Sequence, residues 1–153
     1  MTVSLQSIFS LEGKTALVTG SSRGIGAAIA RGLATAGADV IINGTNLAGT
    51  KATESIIRAD GGKTHALAGD LSAHGSCRFL IEEAERLSGH LDILVTNASA
   101  RINALLEELS LEDPDTQVVM NLRSTVEMLQ DIYKKFDEIY TLRSSPGLFS
   151  SLR

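Results

Sequence analysis

Three glycines, Gly20, Gly24 and Gly26, fall within the stretch Thr19-Gly-Ser-Ser-Arg-Gly-Ile-Gly26, and their spacing is the strongest chemical signal in the chain. A short apolar run, Lys14 to Thr19, precedes them, and a helical pattern, Ile25 to Thr35, follows. In that setting each glycine has a physical task. Gly20 can take the tight turn, Gly24 lets the backbone approach a pyrophosphate, and Gly26 permits close packing of helix on strand. The helix that starts here offers unpaired N–H groups and the positive end of its dipole to an anion. With Ser22, Arg23 and Ile25 completing the turn, the stretch reads as a phosphate cradle for a dinucleotide. A glycine triplet alone would serve equally well in an ordinary strand-to-helix turn; the strand before it and the helix after it favour the cradle.

The elements that must hold such a cradle follow from periodicity. Lys14 to Thr19 is a buried parallel strand by its unbroken apolar run. The helix after it carries Ile25, Ile29 and Leu33 at intervals of four and ends at Gly37. Ala38 to Asn43 is predicted as the second strand, Leu47 to Ala59 as the second helix and Thr64 to Ala68 as the third strand. Ser72 is a candidate N-cap for a third helix running to about Leu87, with Phe79, Leu80, Ala84 and Leu87 on one face. Leu91 to Thr96 is the fourth strand. This alternation implies an α/β fold, a Rossmann-type doubly wound parallel sheet left incomplete, with strand order 3-2-1-4 and right-handed crossovers. Beyond it, Arg101 to Glu112 reads as loop and short helix closed by Pro114. An amphipathic helix then starts near Asp115, with Val118, Val119, Leu122, Val126, Leu129, Ile132, Tyr133, Phe136 and Tyr140 at helical spacing. The organisation expected is a nucleotide-binding domain over residues 1–130, then a divergent helix end and tail over 131–153.

The Gly-x-x-x-Gly-x-Gly spacing after Thr19 resembles the TGxxxGIG motif of the short-chain dehydrogenase/reductase family, and Gly13-Lys14 ahead of the first strand is similar to that family too. Further residues match in order. Asp70-Leu71 stands where the family's Asp contacts the adenine; the alternative is that Asp70 simply caps the third helix. Asn97-Ala98-Ser99 resembles the family's N-A-G motif with Ser for Gly. Asn121, in Met-Asn-Leu-Arg-Ser-Thr, stands where the family places the Asn of its catalytic tetrad; a solvated or helix-bending residue is its other reading. The resemblance covers about residues 8 to 130 and implies a nicotinamide cofactor.

Which nicotinamide follows from the end of the second strand. An NAD site places an acidic residue there to accept from the ribose 2′-OH, whereas here the stretch is Asn43-Gly44-Thr45-Asn46. Arg23 resembles the basic residue that some family members set against a 2′-phosphate. NADP is therefore favoured over NAD, with Asn43 and Thr45 beside it.

The resemblance also implies what chemistry to look for: a Tyr that exchanges a proton with the substrate oxygen, a Lys four residues on that lowers its pKa, and a Ser that orients the carbonyl. No Tyr-x-x-x-Lys is present, for Asp137 stands four residues after Tyr133 and Ser144 four after Tyr140. The expectation is a cofactor-binding portion of an oxidoreductase without hydride transfer of its own. Its alternatives are a reductase completed by a partner chain and a non-catalytic oligomeric interaction subunit.

Composition narrows the partners. A net charge of −4 without any basic block argues against nucleic acid. Cys77 is the only cysteine, so an intrachain disulfide and a cysteine zinc site are excluded; His65, His74 and His90 show no metal-ligand spacing. No apolar run reaches the roughly 20 residues a spanning helix needs, and no charged segment leading into a long apolar run opens the chain. A cytoplasmic protein that self-associates, through the open fourth strand or the last helix, is expected.

Overall fold

The computed structural model describes residues 8–101, 105–108, 110 and 112–143, the side chains of 106, 112, 113 and 135–143 excepted. Four strands form one parallel sheet: β1 Thr15–Val18, β2 Asp39–Gly44, β3 Lys63–Ala68 and β4 Ile93–Val95. Their order is β3-β2-β1-β4. In register, Leu17 stands opposite Ile41 on one side and Leu94 on the other. This is the order expected from the sequence. Helices α1 Gly24–Thr35, α2 Leu47–Ala59 and α3 Ser76–Ser88 supply the crossovers. After β4 come a 3-10 turn at Leu106–Glu108, a short helix α4 at Glu112–Val118, a π-helical turn at Val119–Arg123 and the long helix α5 at Ser124–Arg143.

Alternation along the strands divides the core into two layers. Ala16, Val18, Val40 and Ile42 face α1 and α2, where Ala30, Ala34 and Ile57 are buried against them. Leu17 and Ile41 face the other way, onto Leu80, Ile81 and Ala84 of α3 and Met128 of α5. Strands buried on both faces are what βαβ crossovers demand, and they explain the unbroken apolar runs.

Several local expectations need correction. The buried line of α1 is Gly26, Ala30 and Ala34, one residue on from Ile25, Ile29 and Leu33; Ile25 is 75% exposed. Small side chains let α1 approach the sheet closely, while Ile29 and Leu33 pack along its flanks. Ser72 does not cap α3, whose N-cap is Gly75 at φ 78°; its hydroxyl instead donates to Asp70 Oδ1 at 2.7 Å. Phe79 is exposed, and Cys77 and Ile81 join Leu80 and Ala84 on the buried face. Pro114 lies in the first turn of α4 instead of closing a helix, at a place where a missing N–H costs nothing. The fourth strand is shorter than its apolar run, ending at Val95 because Thr19 draws Asn97 and Ala98 out of the ladder. The predicted Phe136 and Tyr140 positions lie among residues whose side chains are outside the description, as does the tail from Ser144 on.

Candidate functional site

A cleft of about 750 Å³ opens at the C-terminal ends of the strands, where β1 leads into α1. Parallel sheets place ligands at this end, where the strand order reverses direction from β1. A volume of that size falls in the range of small-molecule sites.

Its floor is the glycine turn. Gly20 and Gly24 both adopt positive φ, 62° and 58°. A Cβ at Gly24 would meet no heavy atom within 4 Å, so the backbone there faces open room. At Gly26 the constraint is reversed: a Cβ would come within 2.4 Å of the Gly20 carbonyl oxygen and 2.5 Å of Asn97 Nδ2. The helix therefore starts as close to the turn as a bare glycine allows. Arg23 is the N-cap of α1, with no side-chain cap bond, and the first turn holds no acidic residue. The helix thus keeps its first N–H groups for a ligand.

The walls are tied to that floor by two hydrogen-bond clusters. On the β4 side, the buried Thr19 hydroxyl donates to the Val95 carbonyl at 3.2 Å and accepts from the N–H groups of Asn97 and Ala98 at 3.0 and 3.1 Å. Asn97 returns the link, its Nδ2 donating to the carbonyls of Thr19 and Gly20 at 3.0 and 3.2 Å. On the β2 side, Asn43 is buried and donates through Nδ2 to the Gly69 carbonyl at 3.1 Å. Its backbone N–H donates to the Ser21 hydroxyl at 3.0 Å, and that hydroxyl donates to the Val18 carbonyl at 2.6 Å. The two asparagines fasten the turn to the strand ends on either side.

Of the residues singled out from the sequence, Gly20, Ser22, Arg23, Gly24, Ile25, Gly26, Asn43 and Thr45 line the cleft, as do Leu71, Asn97, Ala98 and Ser99. Asp70 does not: its carboxylate turns back on the chain and accepts from the N–H and hydroxyl of Ser72 at 2.9 and 2.7 Å. Asn121 is not on the lining either. It sits in the π turn, where its side chain bonds both backbone groups of Ala100. Gly44, Asn46, Gly49, Gly69 and Met120 also line the cleft without having been singled out. Gly44 ends β2 and Gly69 directly follows β3, positions that the rule for parallel sheets marks. Asn46 caps α2, accepting from Gly49 N–H at 2.8 Å. Met120 left no signal, because its place depends on the π turn.

Among the described residues the lining contains no carboxylate, and Arg23 is its one charged side chain. A long, phosphate-bearing ligand fits these donors and this charge. The other titratable groups stand apart. Burial, with Glu127 nearby, pushes the Cys77 thiol up to about 11, which removes it from thiolate chemistry at neutral pH. Among the described residues no group of three His, Cys, Asp or Glu gathers in a way that could hold a metal ion, and no helix is long and apolar enough to cross a membrane.

Comparison with known proteins agrees with this geometry. The sequence model of the short chain dehydrogenase family matches residues 14–144. A solved 3-oxoacyl (acyl-carrier-protein) reductase of Agrobacterium tumefaciens, with NADP bound, superposes at a TM-score of 0.78 and 55% identity, covering 84% of this chain and 50% of that one. The corresponding reductase of Aquifex aeolicus is 40% identical over 126 residues, 82% of this chain and 51% of its own. Gluconate 5-dehydrogenase of Gluconobacter oxydans is 38% identical over 117 residues, 76% of this chain and 46% of its own. The chain thus spans about half the length of the curated relatives it matches.

Proposed function

The chain belongs to the short-chain dehydrogenase family, and from that premise we propose that it is a nicotinamide-dinucleotide holder that prefers NADP(H) and carries out no hydride transfer by itself. The observation that supports the preference is the cleft's charge: among the described residues Arg23 stands on it and no carboxylate does. A carboxylate at the end of β2 would repel a 2′-phosphate and favour the free ribose hydroxyl. Here that end offers Asn43, Gly44 and Thr45 instead. The pyrophosphate belongs at Gly24 and the α1 N-terminus, the adenosine end beside β2 and Arg23, and the nicotinamide end beside Asn97 to Ser99. The bound cofactor would supply the hydride; the chain's own groups bind and orient it and hold its phosphates away from water.

Replacing Arg23 by Ala tests the preference. NADPH binding should weaken by about 1–3 kcal/mol, the worth of a charge-assisted contact, while NADH binding changes much less. Equal losses would make Arg23 a contact to the pyrophosphate or a bystander. The catalytic half of the proposal rests on the missing Tyr-x-x-x-Lys. The purified chain with saturating NADPH should turn over no member of a carbonyl panel above a buffer control, and turnover surviving Tyr133→Phe and Tyr140→Phe together would overturn it.

A second reading, an assembling subunit, draws on a different observation. Val118, Leu122, Val126, Leu129 and Tyr133 form an exposed apolar stripe along α4, the π turn and α5. A self-associating cofactor holder, in a localisation such as the cytoplasm, satisfies both readings together.

A further inference from the structure

Residues 97–100 follow β4, and three of their four N–H groups are used inside the chain. Those of Asn97 and Ala98 donate to the Thr19 hydroxyl at 3.0 and 3.1 Å, and that of Ala100 donates to the Asn121 side chain at 2.8 Å. Ser99 is the exception. Neither its N–H nor its hydroxyl has a partner among the described residues. It is exposed and lines the cleft. Water ordinarily satisfies a surface serine. This one stands between fastened neighbours on both sides, so a ligand meets its free groups on a segment already in place and little ordering cost falls on binding.

The glycine turn fixes where along the cleft these groups stand. A Cβ on Gly20 would come within 2.8 Å of the Ala98 Cα, and one on Gly26 within 2.5 Å of Asn97 Nδ2. The start of the wall thus packs on the turn assigned above to the pyrophosphate. Ser99 is the next residue along from Ala98, about 3.8 Å further between Cα atoms. In a dinucleotide the unit that adjoins the pyrophosphate is a ribose. Each ribose hydroxyl both donates and accepts, as a serine hydroxyl does. The N-A-G motif that this stretch resembles carries no side chain at the third position, so the hydroxyl belongs to this chain's own Asn97-Ala98-Ser99.

We infer that the Ser99 hydroxyl hydrogen-bonds the hydroxyls of the nicotinamide ribose, a hold on that half of the cofactor that a glycine there would not provide. The inference rests on the cofactor orientation proposed above, with the adenosine end beside β2 and the nicotinamide end beside Asn97 to Ser99.

Three ligands of increasing length test it. The first, 2′-phospho-ADP, ends at the pyrophosphate; 2′-phospho-ADP-ribose adds the second ribose; NADPH adds the nicotinamide. Each is titrated into the parent chain, into Ser99→Ala and Ser99→Gly, which lose the hydroxyl, and into Ser99→Thr, which keeps it. Ser99→Ala and Ser99→Gly should weaken 2′-phospho-ADP-ribose and NADPH alike, by about three- to ten-fold, the scale of one modest hydrogen bond. Affinity for 2′-phospho-ADP should stay within about two-fold of the parent in both, and Ser99→Thr should bind all three ligands within about two-fold. An equal loss for 2′-phospho-ADP would place the hydroxyl on a phosphate or assign it to the fold. A loss confined to NADPH would place it on the nicotinamide ring, and no loss for any ligand would make it a bystander. Each of these results overturns the ribose contact while leaving the cofactor reading standing. A parent that binds none of the three ligands overturns the cofactor reading, and the ribose contact falls with it.

Discussion

At Gly26 one missing methyl group decides whether α1 can begin where it does. A Cβ there would stand 2.4 Å from the Gly20 carbonyl oxygen and 2.5 Å from Asn97 Nδ2, and neither neighbour is free to move, since Asn97 is held by the carbonyls of Thr19 and Gly20. Gly26→Ala should therefore destabilise the chain by about 1–3 kcal/mol, the usual cost of overpacking, as read from urea unfolding; a loss within the error of the fit would mean that the turn gives way more easily than its hydrogen bonds suggest. Cys77 presents the opposite case, a reactive residue type made inert by its surroundings. It is 1% exposed, and burial first, then Glu127, raises its thiol to about 11. A thiol reagent at neutral pH should leave it unmodified in the native chain and label it fully in urea; rapid native labelling would show that α3 and α5 open there. Legibility at this scale depended on whether a residue acts through its own type or through a neighbour's geometry. The glycines and Arg23 announce themselves by type and spacing. Asp70 did not reach the cleft because a closer donor, Ser72, took its carboxylate, and nothing local to Met120 signals a helix that changes its pitch.

Among the elements, β4 is the least secured, being three residues long and at the end of the sheet. Its entry is held by Asp92, whose Oδ2 accepts from the Thr15 N–H and whose Oδ1 pairs with the Lys14 ammonium, both at 2.9 Å. Partial burial pushes the Asp92 carboxyl up, but the Thr15 N–H, Lys14 and His90 together outweigh it and hold it below its ordinary value. A carboxylate depressed in the folded state stabilises that state above its unfolded pKa, and the contribution is lost as pH falls through the folded value. Asp92→Asn should cost about 0.5–1.5 kcal/mol at neutral pH, and the gap between parent and variant should close as pH falls below about 4. Urea unfolding at several pH values measures it; a gap that stays constant into acid would assign the effect to packing. The crossovers were legible because a parallel strand and its following helix differ in period, so the order β3-β2-β1-β4 could be written down beforehand. The buried face of α1 was not, since periodicity of large apolar residues marks Ile25, Ile29 and Leu33 while the sheet selects the small ones beside them. The start of α3 slipped for a similar reason: a serine is a good cap by type, yet Gly75 in the left-handed region sets the entry.

For the molecule as a whole, the notable features are an edge and a stripe. Among the described residues β4 ends the sheet on one side, a strand edge with backbone groups for pairing, and Leu122, Val126, Leu129 and Tyr133 are exposed together along the π turn and the last helix. Apolar surface gathered in this way favours association. The parent should sediment above its monomer mass of 16.2 kDa at micromolar concentration, and Leu129→Glu should return it to monomer; a parent that already sediments as a monomer would end the assembling reading without touching the cofactor reading. That reading has its own most direct measurement, a titration of the purified chain with NADPH alongside Gly24→Val. Gly24 stands at φ 58° facing open room, so a valine there strains the turn and fills the space reserved for the pyrophosphate while α2, α3 and the sheet remain. Saturable NADPH binding to the parent, stronger than that of NADH and abolished in Gly24→Val with the far-ultraviolet circular dichroism preserved, is the expected result. A parent without saturable binding, or a Gly24→Val variant that binds NADPH as tightly as the parent, would contradict the assignment of the glycine cleft to the cofactor.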